Sequence, residues 1–200
     1  MSNVKALFVH IPKTAGISLY KSIDHPKIKI KGHFIQNPFH LFLKNYLRLH
    51  PKDQFKIFSF VRNPWDRLVS AFFYLEKGGR NLCDILDQKR YLSKFNGDFE
   101  SFVKEGIIEG KVMKQLHLIP QYKWICDDDD TILADYIGYF ESLNDDLKKI
   151  SKELSIPFKA LEHKNNSSHK PYYTLYDQEM IDIVAKAYEK DIKLFNYSFK

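Results

Sequence analysis

Cysteine is scarce in this chain: Cys83 and Cys126 are its only two, far apart in sequence. That separation offers neither a disulfide framework nor a metal-ligand spacing, so both are expected to be free thiols. Glycine is also sparse, with eight in 200 residues. No glycine-rich stretch precedes a lysine, which excludes the Walker A pattern G-x-x-x-x-G-K-[ST]. No apolar run is long enough for a membrane span, and no signal peptide precedes the first apolar stretch, Ala6 to Val9. A cytoplasmic, soluble protein is therefore expected, with peripheral membrane association left open. Internal repeats, low-complexity tracts and linkers are absent as well. The run Asp127 to Asp130 lacks the ligand spacing and the glycine of an EF-hand, and reads as a solvated loop rather than a metal site. Acidic residues are outnumbered 25 to 31 by Lys and Arg, a net charge of +6. A modest basic excess suits an anionic ligand such as a nucleotide or sugar acid. Nucleic acid is not expected as a partner, because the lysines are scattered and no helix-turn-helix, zinc or RNP signature occurs.

Aromatic residues, by contrast, are plentiful. Sixteen Phe and twelve Tyr let 200 residues build a sizeable core without disulfides, and a single domain over residues 1–200 is expected. Apolar runs at 6–9, 28–31, 55–61 and 136–140 read as strands. Helical periodicity appears at 17–23, 64–75, 142–154 and 177–195. Strands alternating with helices predict an α/β fold, a central and mostly parallel sheet flanked by helices. The stripe Ile181, Val184, Ala185, Tyr188, Ile192 and Phe195 marks one long final helix packed on the core. Between Arg80 and Glu109 the sequence suggests short helices with charged faces, Asp98 capping one of them.

The chain is organised around LFVHIPKTAGIS, Leu7 to Ser18. After the first strand, Pro12-Lys13-Thr14-Ala15-Gly16 forms a tight loop that opens the helix beginning near Ile17. The helix's first N–H groups point at the loop and, with the helix dipole, favour an anion. Lys13 adds a full positive charge, and the hydroxyls of Thr14 and Ser18 add donors. Pro12 through Ser18 thus reads as a P-loop-like phosphate cradle, although an ordinary strand-to-helix turn has much the same composition.

A second strand-to-helix junction, FVRNPWDRLVSAFFYL, follows at Phe60 to Leu75. Asn63 is a good N-cap, Pro64 suits the first helical position and Asp66 the first turn, with Gly78-Gly79 as the stop. Arg62 then sits at a strand end and Ser70 two turns into the helix, where a guanidinium can grip a phosphate bidentately and the serine can donate to it.

The pair of motifs, Pro12–Gly16 and then VRNPWDRLVSAFFY, resembles the PAPS-dependent sulfotransferases of the carbohydrate (Golgi-type) branch, PAPS being 3′-phosphoadenosine 5′-phosphosulfate. The stretches DYIGYFESL, HKNNSSHKPYYTLY and DIKLFNYSF near the C-terminus resemble bacterial members. The likeness is weakest between Gly78 and Gln121. It implies the sulfotransferase fold, the first motif holding the 5′-phosphosulfate and Arg62 with Ser70 holding the 3′-phosphate. It further implies a loop near Ser168 and Lys170 closing over the 3′-phosphate end, and an acceptor pocket lined by the region after Gly79. Animal members carry an N-terminal membrane anchor, which is not expected here.

A general base is expected between the two motifs. His33 follows Gly32 at a predicted strand end, where parallel α/β sheets place their ligands, and an unperturbed imidazole titrates near working pH. The resemblance supports it, because family members carry a catalytic histidine or glutamate in this interval, a histidine in a comparable Gly-His context among the heparan 2-O-sulfotransferases. His40 on a helix surface and His50 in a turn compete, and a carboxylate between Arg80 and Glu109, or Glu76, remains as the alternative base. The implied reaction is in-line transfer of a sulfuryl group from PAPS to a hydroxyl of a carbohydrate-containing acceptor, with His33 as base and Lys13 stabilising the leaving adenosine 3′,5′-bisphosphate. A sulfuryl group carries less charge than a phosphoryl group, so no bridging metal is required. Two other classes share part of the pattern. A P-loop-type nucleotide kinase needs magnesium and a glycine-rich loop; a non-catalytic nucleotide- or polyanion-binding module has no need for Lys13 and Arg62 to converge on one ligand.

Overall fold

A computed structural model describes residues 5–32, 42–50, 55–159, 161 and 170–200. The strands are β1 (Ala6–His10), β2 (Ile28–Gly32), β3 (Lys56–Val61) and β4 (Tyr136–Tyr139). All are parallel, in the order β2-β1-β3-β4. The chain thus leaves β1 for one neighbour and returns to its other side. The order reverses between β1 and β3, and in open α/β sheets ligands bind at that switch point, outside the carboxyl ends of the strands. The loop after β1 carries Lys13, and Arg62 directly follows β3. Topology alone therefore directs both motifs to one edge of the sheet.

The helices, in chain order, are α1 (Gly16–Ser22), α2 (Leu43–Leu47), α3 (Pro64–Glu76), α4 (Leu82–Asp87), α5 (Phe99–Ser101), α6 (Tyr122–Ile125), α7 (Leu143–Leu154), α8 (Gln178–Ala187) and α9 (Glu189–Phe195). Among the described residues none is long and apolar enough to cross a membrane. The chain divides into two compact units, Met1–Arg62 with Gln121–Asn165, and Asn63–Pro120 with Asn166–Lys200.

The first unit holds the sheet. Ala6 and Phe8 of β1 and Phe58 and Phe60 of β3 share a face, buried against Leu19 and Ile23 from α1 and Leu143, Leu147, Ile150 and Leu154 from α7. Leu7, Val9, Ile57, Ser59 and Val61 alternate to the opposite face and are buried too. A sheet covered on both faces explains why these strands read as continuous apolar runs. The aspartate run at 127–130 turns on itself, Asp127 accepting from the N–H groups of Asp129 and Thr131. Asp128 pairs with Lys44 and Arg48.

The second unit is built on α3. Trp65, Leu68, Val69, Phe72 and Leu75 pack with Phe95, Phe99, Phe102, Val103 and Ile107, and with Met180, Val184 and Tyr188. The segment from Arg80 to Glu109 does form short helical pieces, but its main contribution is apolar side chains for this core rather than charged faces. The expected single final helix is instead two, α8 and α9, with Tyr188 between them at φ −115°, ψ 25°. At this junction the buried Tyr188 hydroxyl donates to the Leu118 carbonyl at 2.7 Å, tying the helix pair to a segment far away in sequence. Outside the core, Lys104 pairs with Glu100, Asp177 and Glu179, bringing the start of α8 to residues 100–104.

Candidate functional site

Along residues 12–16 the sign of φ alternates. The proline ring fixes φ near about −65°, Lys13 lies at 69° and Ala15 at 65°, while neither Thr14 nor Gly16 is positive. Alternation of this kind turns successive N–H groups toward one concavity, the nest geometry that binds anions. Two non-glycine residues in the left-handed region are unusual, and such strain collects at ligand-binding loops. The Thr14 side chain, fully buried, directs its one hydroxyl donor at the Ile11 carbonyl, 2.9 Å away. That hydroxyl braces the loop from inside.

Gly16 serves close approach rather than backbone freedom. A Cβ there would stand 1.9 Å from Nε2 of His10. The His10 ring is buried at the end of β1, edge-on to Tyr20 with centroids 5.3 Å apart. Burial also pushes the Tyr20 hydroxyl above its ordinary titration range. Ala15 enters α1 without a side-chain cap, and the first turn holds no acid. The first backbone bond of the helix runs from the Leu19 N–H to the Ala15 carbonyl, so the N–H groups of Gly16, Ile17 and Ser18 have no partner within the helix. Ser18 is half-buried and Ile17 exposed.

Arg62 comes to this loop. Its guanidinium donates to the Lys13 carbonyl at 3.1 Å and lies over the Phe140 ring, 4.0 Å from the centroid. Its backbone is held by the Gln121 side chain, which accepts from the Arg62 N–H at 2.9 Å and donates to the Arg62 carbonyl at 2.8 Å. Arg62 is 6% exposed and Gln121 not at all. The structure thus brings the Arg62 guanidinium to the Lys13 backbone carbonyl. Ser70 sits half-buried on α3 in the other unit. Lys170 is exposed ahead of the helical turn Tyr172–Leu175. His33, His40 and Ser168 lie outside the described residues. His50 stacks on Tyr46, centroids 4.3 Å apart. Glu76 ends α3 with one carboxylate oxygen buried and without a hydrogen-bond partner among the described residues.

Three contributors escaped the sequence reading. Gln121 had one faint signal, a single amide at the end of the apolar stretch Leu118-Ile119-Pro120. Phe140 looked like the last residue of a strand. His10 falls just outside the apolar run Ala6 to Val9, and nothing local marks its contact with Gly16.

An uncharacterized protein of Archaeoglobus fulgidus is 30% identical over 107 residues, 52% of this chain and 72% of that protein. A crystal structure of a sulfotransferase from Alicyclobacillus acidocaldarius aligns over 98% of this chain and 97% of its own, at 13% identity and a TM-score of 0.46. The family assignment rests on the sequence itself: with residues 3–198 matching it, this chain belongs to the sulfotransferase family.

Proposed function

We propose that this sulfotransferase moves the sulfuryl group of PAPS to a hydroxyl of a carbohydrate-containing acceptor. The observation that carries the reading is the meeting of Arg62 with the Lys13 loop at the carboxyl ends of β3 and β1. One cationic side chain from each motif, beside an alternating-φ loop, suits a donor with two separate phosphate groups. The loop N–H groups and Lys13 receive the 5′-phosphosulfate, and Arg62 with Ser70 takes the 3′-phosphate.

In the reaction the acceptor oxygen attacks sulfur in line. The bond from sulfur to the oxygen shared with the 5′-phosphate breaks, and adenosine 3′,5′-bisphosphate leaves with that electron pair. The acceptor proton passes to His33. Charge accumulates on the departing oxygen, where the Lys13 ammonium and the loop donors stabilise it more in the transition state than in the bound donor. Positioning and electrostatics carry the rate, as they do in phosphoryl transfer.

The test begins with binding. Adenosine 3′,5′-bisphosphate should bind more tightly than adenosine 5′-monophosphate, and Arg62→Ala should remove that preference. A lost charge-assisted hydrogen bond of about 1.5–3 kcal/mol corresponds to roughly ten- to a hundredfold. His33→Ala should bind the bisphosphate normally and lose about 10²–10⁴ in transfer from radiolabelled PAPS to oligosaccharide acceptors. Release from immobilised bisphosphate by ATP–magnesium but not by PAPS would overturn the reading in favour of a kinase.

A further inference from the structure

The Gln121 side chain makes the hydrogen bonds of a sheet rung. Beyond Val61 the ladder of β3 ends, yet the next residue, Arg62, has both backbone groups engaged. The amide of Gln121 accepts from its N–H at 2.9 Å and donates to its carbonyl at 2.8 Å. This reciprocal pair occupies a fully buried residue 59 positions along the chain. Backbone groups buried this deeply must be paired, but pairing alone does not require a primary amide. What the amide supplies, with an acceptor and a donor side by side, is a fixed orientation of the Arg62 peptide units.

That orientation sets where the guanidinium goes. With its backbone fixed, Arg62 lies over the Phe140 ring and reaches the Lys13 carbonyl. Lys13 is one of the two loop residues in the left-handed region, at φ 69°. A bond to its carbonyl opposes rotation of the Lys13–Thr14 peptide out of the alternating arrangement. Phe140 has its own anchor: its neighbour Tyr139 donates its N–H to Asp146, as does the Ser142 hydroxyl.

We propose that Gln121 is a positioning residue for donor binding. Through the Arg62 backbone it aims the guanidinium, and through the Arg62-to-Lys13 bond it holds the phosphate loop in its binding shape. The two motifs then act as one coupled element rather than two independent contacts. This rests on the PAPS reading for the identity of the ligand, but not for the coupling within the free protein.

The experiment uses Gln121→Met, which keeps the length of the side chain and removes both hydrogen bonds. Two quantities are read. The first is backbone amide exchange of Thr14 to Gly16 in the ligand-free protein, expected to rise on the order of tenfold or more above the parent, as loss of a hydrogen-bonded brace lets the loop open. The second is the ratio of affinities for adenosine 3′,5′-bisphosphate and adenosine 5′-monophosphate, expected to fall by a similar factor. Ile125→Val, a fully buried change in α6, controls for a merely structural loss and should move neither. A Gln121→Met protein with lowered thermal stability but parental loop exchange and parental ratio would overturn the proposal. Should that variant fail to fold, Gln121→Glu retains the acceptor for the Arg62 N–H while losing the donor to its carbonyl, and is read by the same two quantities. If the parent shows no preference for the bisphosphate, the PAPS reading fails, and loop exchange alone decides whether Gln121 positions the loop.

Discussion

After β1 the chain enters α1 through Ala15 in the left-handed region, with no capping side chain and no acid in the first turn. After β3 it enters α3 through Asn63, whose Oδ1 accepts from the Trp65 N–H at 3.1 Å, with Pro64 and Asp66 in the first turn. Both are strand-to-helix junctions in one sequence, and their helix starts are chemically opposite. A helix capped by its own asparagine and carrying an aspartate has answered its exposed donors and repels a further anion. A helix with neither leaves donors for something else. Of the two junctions, the first is therefore the one whose helix start is left without a capping side chain. At the second, the cationic side chain of Arg62, one residue ahead of the cap, is what can meet a phosphate. The two junctions thus differ in their physics, backbone donors left uncapped at one, a held guanidinium beside a capped helix at the other.

The largest expected effect separates those two roles. On the proposed mechanism Lys13 stabilises the leaving group, so Lys13→Ala should lower kcat by about 10²–10³ while changing donor affinity less. Single-turnover measurements with radiolabelled PAPS test this. A variant that bound the donor weakly yet turned over at the parental rate when saturated would make Lys13 a ground-state anchor only, and the two junctions would then differ less than their caps suggest.

What could be read from sequence follows the same division. The β1 run, the Pro12–Gly16 loop, the Asn63 cap with Pro64, the Asp98 cap and the Gly78-Gly79 stop were legible because each is decided by residues within a few positions of one another. The alternating order of strands and helices likewise anticipated the parallel sheet. What escaped is settled by partners distant in sequence. The Gln121 amide finds Arg62 across 59 residues, and the Tyr188 hydroxyl, at the boundary between α8 and α9, finds Leu118 across 70. The His10 ring against Gly16 is only six residues away, yet it depends on how α1 docks beside β1, which no local pattern encodes. Side-chain hydrogen bonds to backbone groups of another segment have no period and no propensity to betray them.

The second prediction probes that docking. In Gly16→Ala the new Cβ meets three atoms of the His10 imidazole at 1.9 to 2.6 Å, and the ring is already confined by Tyr20 and Phe8. Overpacking of this kind costs about 1–3 kcal/mol, measurable by urea unfolding. The helix start must also shift, so nucleotide affinity should fall with stability. Adding His10→Ala should recover part of the stability, with a coupling of about 0.5–3 kcal/mol in the double-mutant cycle. Strict additivity would mean that the ring is free to move aside.

At the other junction the expected effect is smaller and confined to stability. Asn63→Ala removes the cap, at about 1 kcal/mol, and also the bond from its Nδ2 to the Ser198 carbonyl, 3.0 Å long. Asn63→Asp keeps the accepting oxygen and loses only the second bond, so it should be the milder of the two. Nucleotide affinity should remain parental in both. A fall in affinity matching that of Gly16→Ala would erase the contrast between a self-satisfied helix start and a receptive one.

The smallest expected effect concerns the end of β4, the strand next to β3, from which Phe140 supports Arg62. Asp146 on α7 accepts from the Tyr139 N–H at 3.0 Å, from the Ser142 hydroxyl at 2.6 Å and from Lys149 at 3.0 Å. Burial opposes its charge, but the hydrogen bonds from Ser142, Tyr139 and Lys149 outweigh burial and hold the carboxyl below the ordinary aspartate range. A folded value below the unfolded one, about 3.9, means that the charged form stabilises the protein above that pH. The contribution is lost as pH falls through the depressed folded value. Asp146→Asn should therefore be less stable than the parent at pH 7, and the gap should narrow below pH about 4 as the parent's own carboxyl takes up its proton. Added salt should change the gap little, since Lys149 is largely exposed and such pairs contribute little. A gap that stayed constant down to pH about 2 would assign the effect to the shape of the side chain. The negative charge would then have no part in holding the segment that carries Phe140.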